Sequence, residues 1–143
     1  MSFVREILSR KTSSPISVSP DTTVYDALQL MANNNIGSVI VMDNESYLGI
    51  MTERDYSRKV ILNNKNSVNT LVSEIMSTDL PHVSPTNTVD ECMETMSDKN
   101  IRYLPVFDKD EMVGIISMSD LVKQIISFQQ QTITDLNNYI YSQ

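Results

Sequence analysis

The fold is decided by Gly49-Ile50-Met51-Thr52-Glu53-Arg54-Asp55, a stretch that returns in altered form at residues 114–120. In both places an apolar run ends at a hydroxyl residue, Thr52 or Ser117, and a carboxylate follows three positions later. This order predicts a strand that ends where a helix begins, with the hydroxyl as the helix N-cap. The carboxylate would then lie in the first turn, near the positive end of the helix.

The two stretches belong to a longer internal repeat. When the chain is aligned on itself at an offset of 65 residues, residues 18–62 match residues 83–127 at 14 of 45 positions without a gap. Common amino-acid frequencies would give about three matches by chance. One repeat alone is too small for a robust core, so we expect the two repeats to pack together.

Each repeat is predicted to have the order β-α-β-β-α, which places the chain in the α+β class. A short extended piece ends at Ser-Pro, because proline disfavours helix in the residue before it. Thr23 and Thr88 are the expected N-caps of the next helix, whose apolar residues follow an i, i+3, i+4, i+7 spacing. Two apolar strands joined by a polar turn predict a hairpin over residues 39–51 and again over residues 104–116.

A short lead-in helix is expected before each repeat, because residues 4–8 resemble residues 72–76. The helix that ends the second repeat is expected to reach Tyr141. Its apolar residues lie three to five positions apart, at Leu121, Ile125, Phe128, Ile133, Leu136 and Ile140. We therefore divide the chain into a first repeat with its lead-in helix (1–65), a second repeat (66–127) and a C-terminal helical extension (128–143).

Composition argues against several classes of function. The chain has 143 residues, 41% of them apolar, and a net charge of −7, so nucleic acid is not an expected partner. No apolar run approaches the ~20 residues of a membrane span. The N-terminus lacks signal-peptide features, which favours the cytoplasm. Cys92 is predicted to be a buried apolar residue. Because Cys92 is the one cysteine and His82 the one histidine, we expect neither a metal centre nor an enzyme.

The hydroxyl-x-x-Asp pattern is open to two interpretations. In the first it is a helix cap and nothing more. In the second it is a nucleotide cradle, in which backbone N–H groups and the hydroxyl bind a phosphate while the aspartate accepts hydrogen bonds from ribose hydroxyls. The two interpretations are compatible, because a capped helix terminus is also a preorganised one.

The whole pattern resembles the CBS-domain family, named for cystathionine β-synthase. The resemblance covers about residues 10–127 and rests on V-x-P near the first strand, an apolar hairpin and G-[IV]-x-[TS]-x-x-D, each present twice. Residues 100–108, Asn-Ile-Arg-Tyr-Leu-Pro-Val-Phe-Asp, are also typical. The resemblance implies two repeats packed by pseudo-twofold symmetry into one module with two clefts. It also implies dimerisation into a flat disc and binding of AMP, ADP, ATP, NAD or S-adenosylmethionine.

Carried over residue by residue, the resemblance implies two ligand sites. In the cleft of the second repeat, Asp120 would hold the ribose and Ser117 and Arg102 the phosphate. The adenine edge there would meet main-chain groups of the opposite repeat, at Ile16, Ser17 and Val18. In the other cleft the ribose and phosphate contacts would come from Asp55, Thr52 and Arg54. The base there would lie beside Pro81, His82 and Val83.

The two clefts are expected to differ, because Gly37 stands where the second repeat has Arg102. We therefore expect the second cleft to be the one more readily occupied. Lys11 and Thr12, just before the first strand, are further candidates for a phosphate contact.

The favoured function is a regulatory sensor of adenine nucleotides, with no catalytic cofactor, that acts as a homodimer on an unidentified protein partner. The alternative is a ligand-independent dimerisation module that uses the long C-terminal helix. An enzyme is poorly supported, because the chain shows no metal set, no Ser/His or Cys/His pair and no Walker-type glycine loop.

Overall fold

The structure is a computed structural model that describes residues 1–11 and 14–142. Thr12, one of the candidate phosphate contacts, lies outside the described residues, and so does Gln143 at the end of the predicted C-terminal extension. Along the chain the elements are α1 (Val4–Arg10), β1 (Ser17–Val18), α2 (Val24–Asn33), β2 (Ser38–Asp43), β3 (Ser46–Thr52), α3 (Glu53–Lys59), a 3-10 turn (Ile61–Asn63), α4 (Val72–Ile75), α5 (Val89–Lys99), β4 (Tyr103–Asp108), β5 (Glu111–Ser117) and α6 (Met118–Tyr141).

The α+β class and the tandem repeat are confirmed. In the first repeat β1 pairs parallel with β2, and β2 pairs antiparallel with β3. In the second repeat β4 pairs antiparallel with β5, with a register shift at the position equivalent to the one in the first hairpin. The predicted extended piece at residues 82–83 is reduced to a single parallel bridge between Val83 and Val106.

The helices begin where the hydroxyl residues predict. Thr23 caps α2 and Thr88 caps α5, each accepting a hydrogen bond from the backbone N–H three residues on. Glu91 completes a capping box with Thr88, because its carboxylate accepts a hydrogen bond of 3.0 Å from the Thr88 N–H. Cys92 lies on the inner face of α5 and is fully buried, as its place on the apolar stripe predicts.

The chain divides into two compact units. The contiguous unit is Ser14–Leu80, and the split unit combines the described residues of Met1–Ser13 and Pro81–Gln143. The core of the contiguous unit is formed by α2, the β2–β3 hairpin and α4, including Val24, Met31 and Ile75. The core of the split unit is formed by α1, α5, the β4–β5 hairpin and the start of α6. The packing of the repeats about a pseudo-twofold axis stays a prediction.

Each lead-in helix packs in the compact unit of the other repeat, not in that of the repeat it precedes in the chain. Helix α1, which we assigned to the first repeat (1–65), lies in the split unit with the second repeat, because Val4 and Ile7 bury their side chains in that core. Helix α4, at the start of the second repeat, lies in the contiguous unit, where Val72 and Ile75 are buried. The boundaries at residues 65 and 127 themselves stay predictions.

Helix α6 ends at Tyr141, as its apolar spacing predicts. Leu121 and Gln124 are buried in its first turns, whereas every described residue from Phe128 onward is exposed. None of the helices within residues 1–11 and 14–142 is long and apolar enough to cross a membrane.

Candidate functional site

The two hydroxyl-x-x-Asp segments form the same capping box at the starts of α3 and α6. The Asp55 N–H donates to Thr52 Oγ1 at 3.1 Å, and the Thr52 N–H donates back to Asp55 Oδ2 at 3.0 Å. In α6 the Asp120 N–H donates to Ser117 Oγ at 3.1 Å, and the Ser117 N–H donates to Asp120 Oδ2 at 2.9 Å. The cap interpretation is therefore confirmed for both repeats. It also gives each aspartate a defined side-chain orientation.

Asp55 lies in a closed environment. Its side chain is only 7% exposed, and Lys59 on the next turn of α3 places Nζ 2.9 Å from Oδ1. Ser77, which follows α4, donates from Oγ to the same Oδ1 at 2.9 Å. The other oxygen, Oδ2, accepts from both the N–H and the hydroxyl of Thr52. Both carboxylate oxygens of Asp55 are thus engaged inside the contiguous unit.

Ser77 reaches Asp55 because Gly49 lets its backbone approach. The Ile50 N–H donates to the Ser77 carbonyl at 3.0 Å, and the Ser77 N–H donates to the Ile50 carbonyl at 2.8 Å. A Cβ at Gly49 would stand 2.5 Å from that Ser77 carbonyl oxygen, closer than any side chain can come. The glycine of the motif is therefore required here by a backbone-to-backbone contact.

Asp120 lies in a more open environment. Its side chain is 21% exposed, and Lys11, one residue beyond α1, places Nζ 2.8 Å from Oδ2. The same ammonium donates to the Ile115 carbonyl at 2.7 Å. Among the described residues, all contacts of this carboxylate are made through Oδ2. Oδ1 is the oxygen that faces no donor within that part of the chain.

The backbone N–H groups at both helix starts are largely used. The Glu53 N–H donates to the Gly37 carbonyl at 3.2 Å, and the Met118 N–H donates to the Arg102 carbonyl at 2.9 Å. Gly37 and Arg102 therefore occupy equivalent places, as the alignment predicts. Because the cap residue and the third helical residue also use their N–H groups in the capping box, a phosphate here would depend on side chains and the helix dipole. Arg102 is exposed beside α6, whereas Arg54 is half-buried in α3.

The residues predicted to face the adenine lie on two short segments, residues 16–18 before α2 and residues 81–83 before α5, which we call the edge segments. The Ile16 carbonyl accepts a hydrogen bond of 3.1 Å from the Ile40 N–H. Ser17 is exposed and Val18 half-buried in β1.

The matching segment of the second repeat holds the other three predicted residues. Pro81 is half-buried and Val83 is buried. His82 is exposed and stacks on Phe107, with ring centroids 4.1 Å apart and an interplanar angle of 12°.

Each unit brings together one aspartate, its cap and one edge segment. Thr52, Arg54 and Asp55 share the contiguous unit with residues 16–18, and Arg102, Ser117 and Asp120 share the split unit with residues 81–83. The predicted assignment of each edge segment to the aspartate of the other repeat stays a prediction.

Sequence reasoning missed Ser77 and Lys59 altogether, and it proposed Lys11 without its partner Asp120. Lys59 could have been found, because it stands four residues after Asp55 and lies on the same helix face.

The chemistry of these sites is that of hydrogen-bonding carboxylates and ammonium groups. No group of three or more His, Cys, Asp and Glu side chains within residues 1–11 and 14–142 is placed to hold a metal ion. A carboxylate fixed at a helix start and flanked by a lysine suits a ligand with neighbouring hydroxyls and a nearby negative charge.

Comparison with known proteins places these features in a family. The model of the CBS domain matches residues 4–61 and again residues 72–127. The chain therefore belongs to the CBS-domain family, with two CBS domains in tandem.

Three relatives illustrate the similarity. The CBS domain-containing protein CBSX3, mitochondrial, of Arabidopsis thaliana is 36% identical over 125 residues, which are 84% of this chain and 61% of that protein. A solved structure of a protein with CBS domains from Burkholderia ambifaria MC40-6 is 40% identical with a TM-score of 0.83, covering 88% of this chain and 95% of that one. The CBS domain pair of protein MJ0100, solved in complex with 5-methylthioadenosine and S-adenosyl-L-methionine, is 25% identical with a TM-score of 0.77, covering 89% and 98%.

Proposed function

We propose that this chain is a regulatory module that binds an adenosyl ligand of the AMP, ADP, ATP or NAD type, and that it binds rather than catalyses. The ligand stabilises one arrangement of a homodimer, and a protein partner reads that arrangement. The observation that carries the proposal is the pair of capped aspartates, each with a lysine ammonium within 3 Å of its carboxylate. The family resemblance adds the expectation that the ligand is adenosyl, and protein MJ0100 supplies one bound example.

The two sites are proposed to be unequal, with the site at Asp120 the stronger. A ribose diol needs a carboxylate oxygen that can accept hydrogen bonds, and Asp120 Oδ1 is available for this among the described residues. Asp55 has both oxygens engaged by Thr52, Ser77 and Lys59, so a ribose there would have to displace an internal donor. Arg102 adds an exposed positive charge beside α6 that Gly37 does not supply to α3.

The proposed compartment is the cytoplasm, and composition supports it. The lone cysteine is fully buried in α5 and the net charge is −7. A single buried cysteine fits a reducing environment, in which structural disulfides are rare. The negative net charge fits a protein that does not bind nucleic acid.

A ligand-independent dimerisation module is the second candidate. The observation that favours it is helix α6, whose exposed apolar residues continue from Phe128 to Tyr141. The two functions are compatible, and they are separated by asking whether any adenosyl compound binds.

Calorimetric titration of the full chain with AMP, ADP, ATP, NAD and S-adenosylmethionine tests the proposal. We expect at least one of the five to bind and to raise the melting temperature, because it stabilises the folded state alone. Asp120→Asn should weaken that binding by about tenfold or more, since hydrogen bonds to charged groups contribute about 1.5–3 kcal/mol.

Glu91→Gln is the matched control. Glu91 forms the same kind of capping box with Thr88, but α5 carries none of the proposed ligand contacts. This variant should leave the affinity unchanged. If none of the five compounds binds, the sensor function is wrong; if Asp55→Asn abolishes binding and Asp120→Asn does not, the ranking of the sites is wrong.

A further inference from the structure

Helix α6 extends beyond the hydrophobic core of the split unit. From Phe128 onward every described residue is exposed, so this part of the helix is not buried against any described residue of its own chain. Isolated helices of this length are marginal in water and usually depend on packing of an apolar face. Residues 124–142 contain a single charged residue, Asp135, so ion pairs along the helix do not stabilise it either. The fold therefore leaves the second half of α6 in need of a partner surface.

The exposed apolar residues of α6 follow a heptad spacing. Alternating steps of four and three residues connect Val122, Ile126, Gln129, Ile133, Leu136 and Ile140, which we call the seam. The five apolar members are exposed by between 41% (Val122) and 63% (Ile140). A mean step of about 3.5 residues is the period by which two helices stay in contact along a supercoil.

The seam is distinct from the face of α6 that packs in the split unit. Leu121 and Gln124 are the buried residues of α6, and Ile125 packs against the same core. Val122 and Ile126 each follow one of these inward residues and are turned from it by about 100° around the helix. A partner helix along the seam would thus leave the core contacts in place.

We propose that the seam is covered by the same seam of a second molecule, in a parallel two-stranded coiled coil. Ile126, Ile133 and Ile140 occupy the a positions, and Val122, Gln129 and Leu136 the d positions. β-branched residues at a with leucine at d favour parallel dimers. This inference rests on the homodimer proposed above and names its interface.

Charge and polarity support self-pairing. Asp135 lies outside the seam, so two copies of the helix meet without like charges in contact, although each chain has a net charge of −7. In the parallel register Gln129 faces Gln129, and each side-chain amide can donate to the other. A polar residue at one seam position fixes register at some cost in stability. The seam spans just under three heptads, so we expect association that depends on protein concentration.

Sedimentation of the full chain tests the contact. Leu136→Asp places a charge within the seam and should shift the chain to a smaller species. Thr134→Asp is the matched control, because it adds the same charge two residues away, outside the seam. We expect this variant to sediment like the original chain. If the original chain is a monomer, both the homodimer and the seam are wrong; if Leu136→Asp sediments like the original dimer, only the seam is wrong.

A cysteine substitution in the seam tests the orientation. In the parallel coiled coil the two thiols of Leu136→Cys face each other, within the range of about 4–7 Å between Cα atoms that a disulfide needs. In an antiparallel pairing of the same seam they would lie about 15 Å apart along the axis. We expect mild oxidation to cross-link this variant rapidly and Thr134→Cys slowly. Equal rates for the two variants, or no cross-link, would overturn the parallel arrangement.

Ligand binding gives an independent readout. Leu136 lies more than four helical turns beyond Asp120 on α6, so Leu136→Asp should still bind whichever ligand the original chain binds, with an affinity changed only by the coupling to the dimer. If Leu136→Asp loses the dimer but still binds the ligand, the seam is supported. If the original chain binds no ligand, the sensor function is wrong and the seam is unaffected.

Discussion

Lys11 Nζ and Asp120 Oδ2 form an ion pair of 2.8 Å. Lys11 directly follows α1, the first helix of the chain, whereas Asp120 lies in the first turn of α6, the last helix. In the first repeat the corresponding aspartate, Asp55, is paired at 2.9 Å with Lys59 from its own helix. The second repeat has Gln124 where the first has Lys59, and Gln124 instead donates to Glu6 at 3.3 Å. The two sites therefore obtain their positive charge from different elements, and only one of them depends on the lead-in segment.

Lys11→Met tests whether that ammonium contributes to phosphate binding. We expect a loss of about tenfold or more in affinity for ADP or ATP, because a hydrogen bond to a charged group contributes about 1.5–3 kcal/mol. Affinity for 5′-methylthioadenosine, which has no phosphate, should change much less. Lys123→Met, which removes an exposed lysine from α6, serves as the control. Equal losses for both kinds of ligand would show that Lys11 only positions Asp120.

The two aspartates should differ in their contribution to stability. Asp55→Ala removes the partner of Lys59, Ser77 and Thr52 at a buried position, so we expect a loss of about 2–3 kcal/mol in the free energy of unfolding. Asp120→Ala removes mainly a capping interaction from a more exposed position and should cost about 1 kcal/mol. Urea denaturation measures both values. Equal losses would contradict the difference in environment described for the two carboxylates.

The two motif glycines provide a matched pair for a steric prediction. In Gly49→Ala the new Cβ would stand 2.5 Å from the Ser77 backbone oxygen, so the backbone must shift, at a cost of about 1–3 kcal/mol. In Gly114→Ala the nearest atom is Leu8 Cδ2 at 2.8 Å, the flexible end of a side chain that can rotate away. We expect a clear drop in melting temperature for the first variant and a small change for the second. The reverse order would show that Leu8 is held more rigidly against β5 than the Ser77 backbone is held against β3.

The buried thiol of Cys92 predicts a dependence of stability on alkaline pH. Burial, assisted by the charge of Glu91, raises the pKa of this thiol from 9.0 to about 11. Because the folded-state pKa lies above the unfolded one, the stabilisation is complete below pH 9 and is lost as pH rises from 9 to 11. The difference in unfolding free energy between the original chain and Cys92→Ala should therefore shrink by on the order of 2–3 kcal/mol over that interval. A constant difference would mean that the thiol is accessible to water.

Local features of the fold could be predicted from sequence. Thr23 and Thr88 cap their helices, both hairpins form, and α6 ends at Tyr141. Each of these depends on residues a few positions apart, where the cap hydrogen bond, the polar turn between two apolar runs and the helical period act directly. The capping boxes at Asp55 and Asp120 were predictable for the same reason.

Contacts between distant segments could not be predicted in the same way. Nothing near Ser77 in the chain indicates that its hydroxyl meets Asp55, and Lys11 was a candidate without a known partner. The resemblance of residues 4–8 to residues 72–76 predicts a helix but not which core receives it. An extended piece was expected at residues 82–83, but Val83 forms only a single bridge, to Val106 of β4. The extent of this pairing depends on a strand that is distant in the chain, so the residues around Val83 do not indicate it.

The placement of α1 determines the order in which the chain can fold during synthesis. The core of the contiguous unit, Ser14–Leu80, is formed by residues of that unit, so it can form as soon as the unit has left the ribosome. The split unit joins the described part of Met1–Ser13 to residues made after the contiguous unit, so the whole contiguous unit lies between them in the chain. Closing that long loop is slow relative to local pairing, and Val4 and Ile7 stay exposed until β5 and α6 are made. Helix α1 is thus translated before the contiguous unit but is buried only after it.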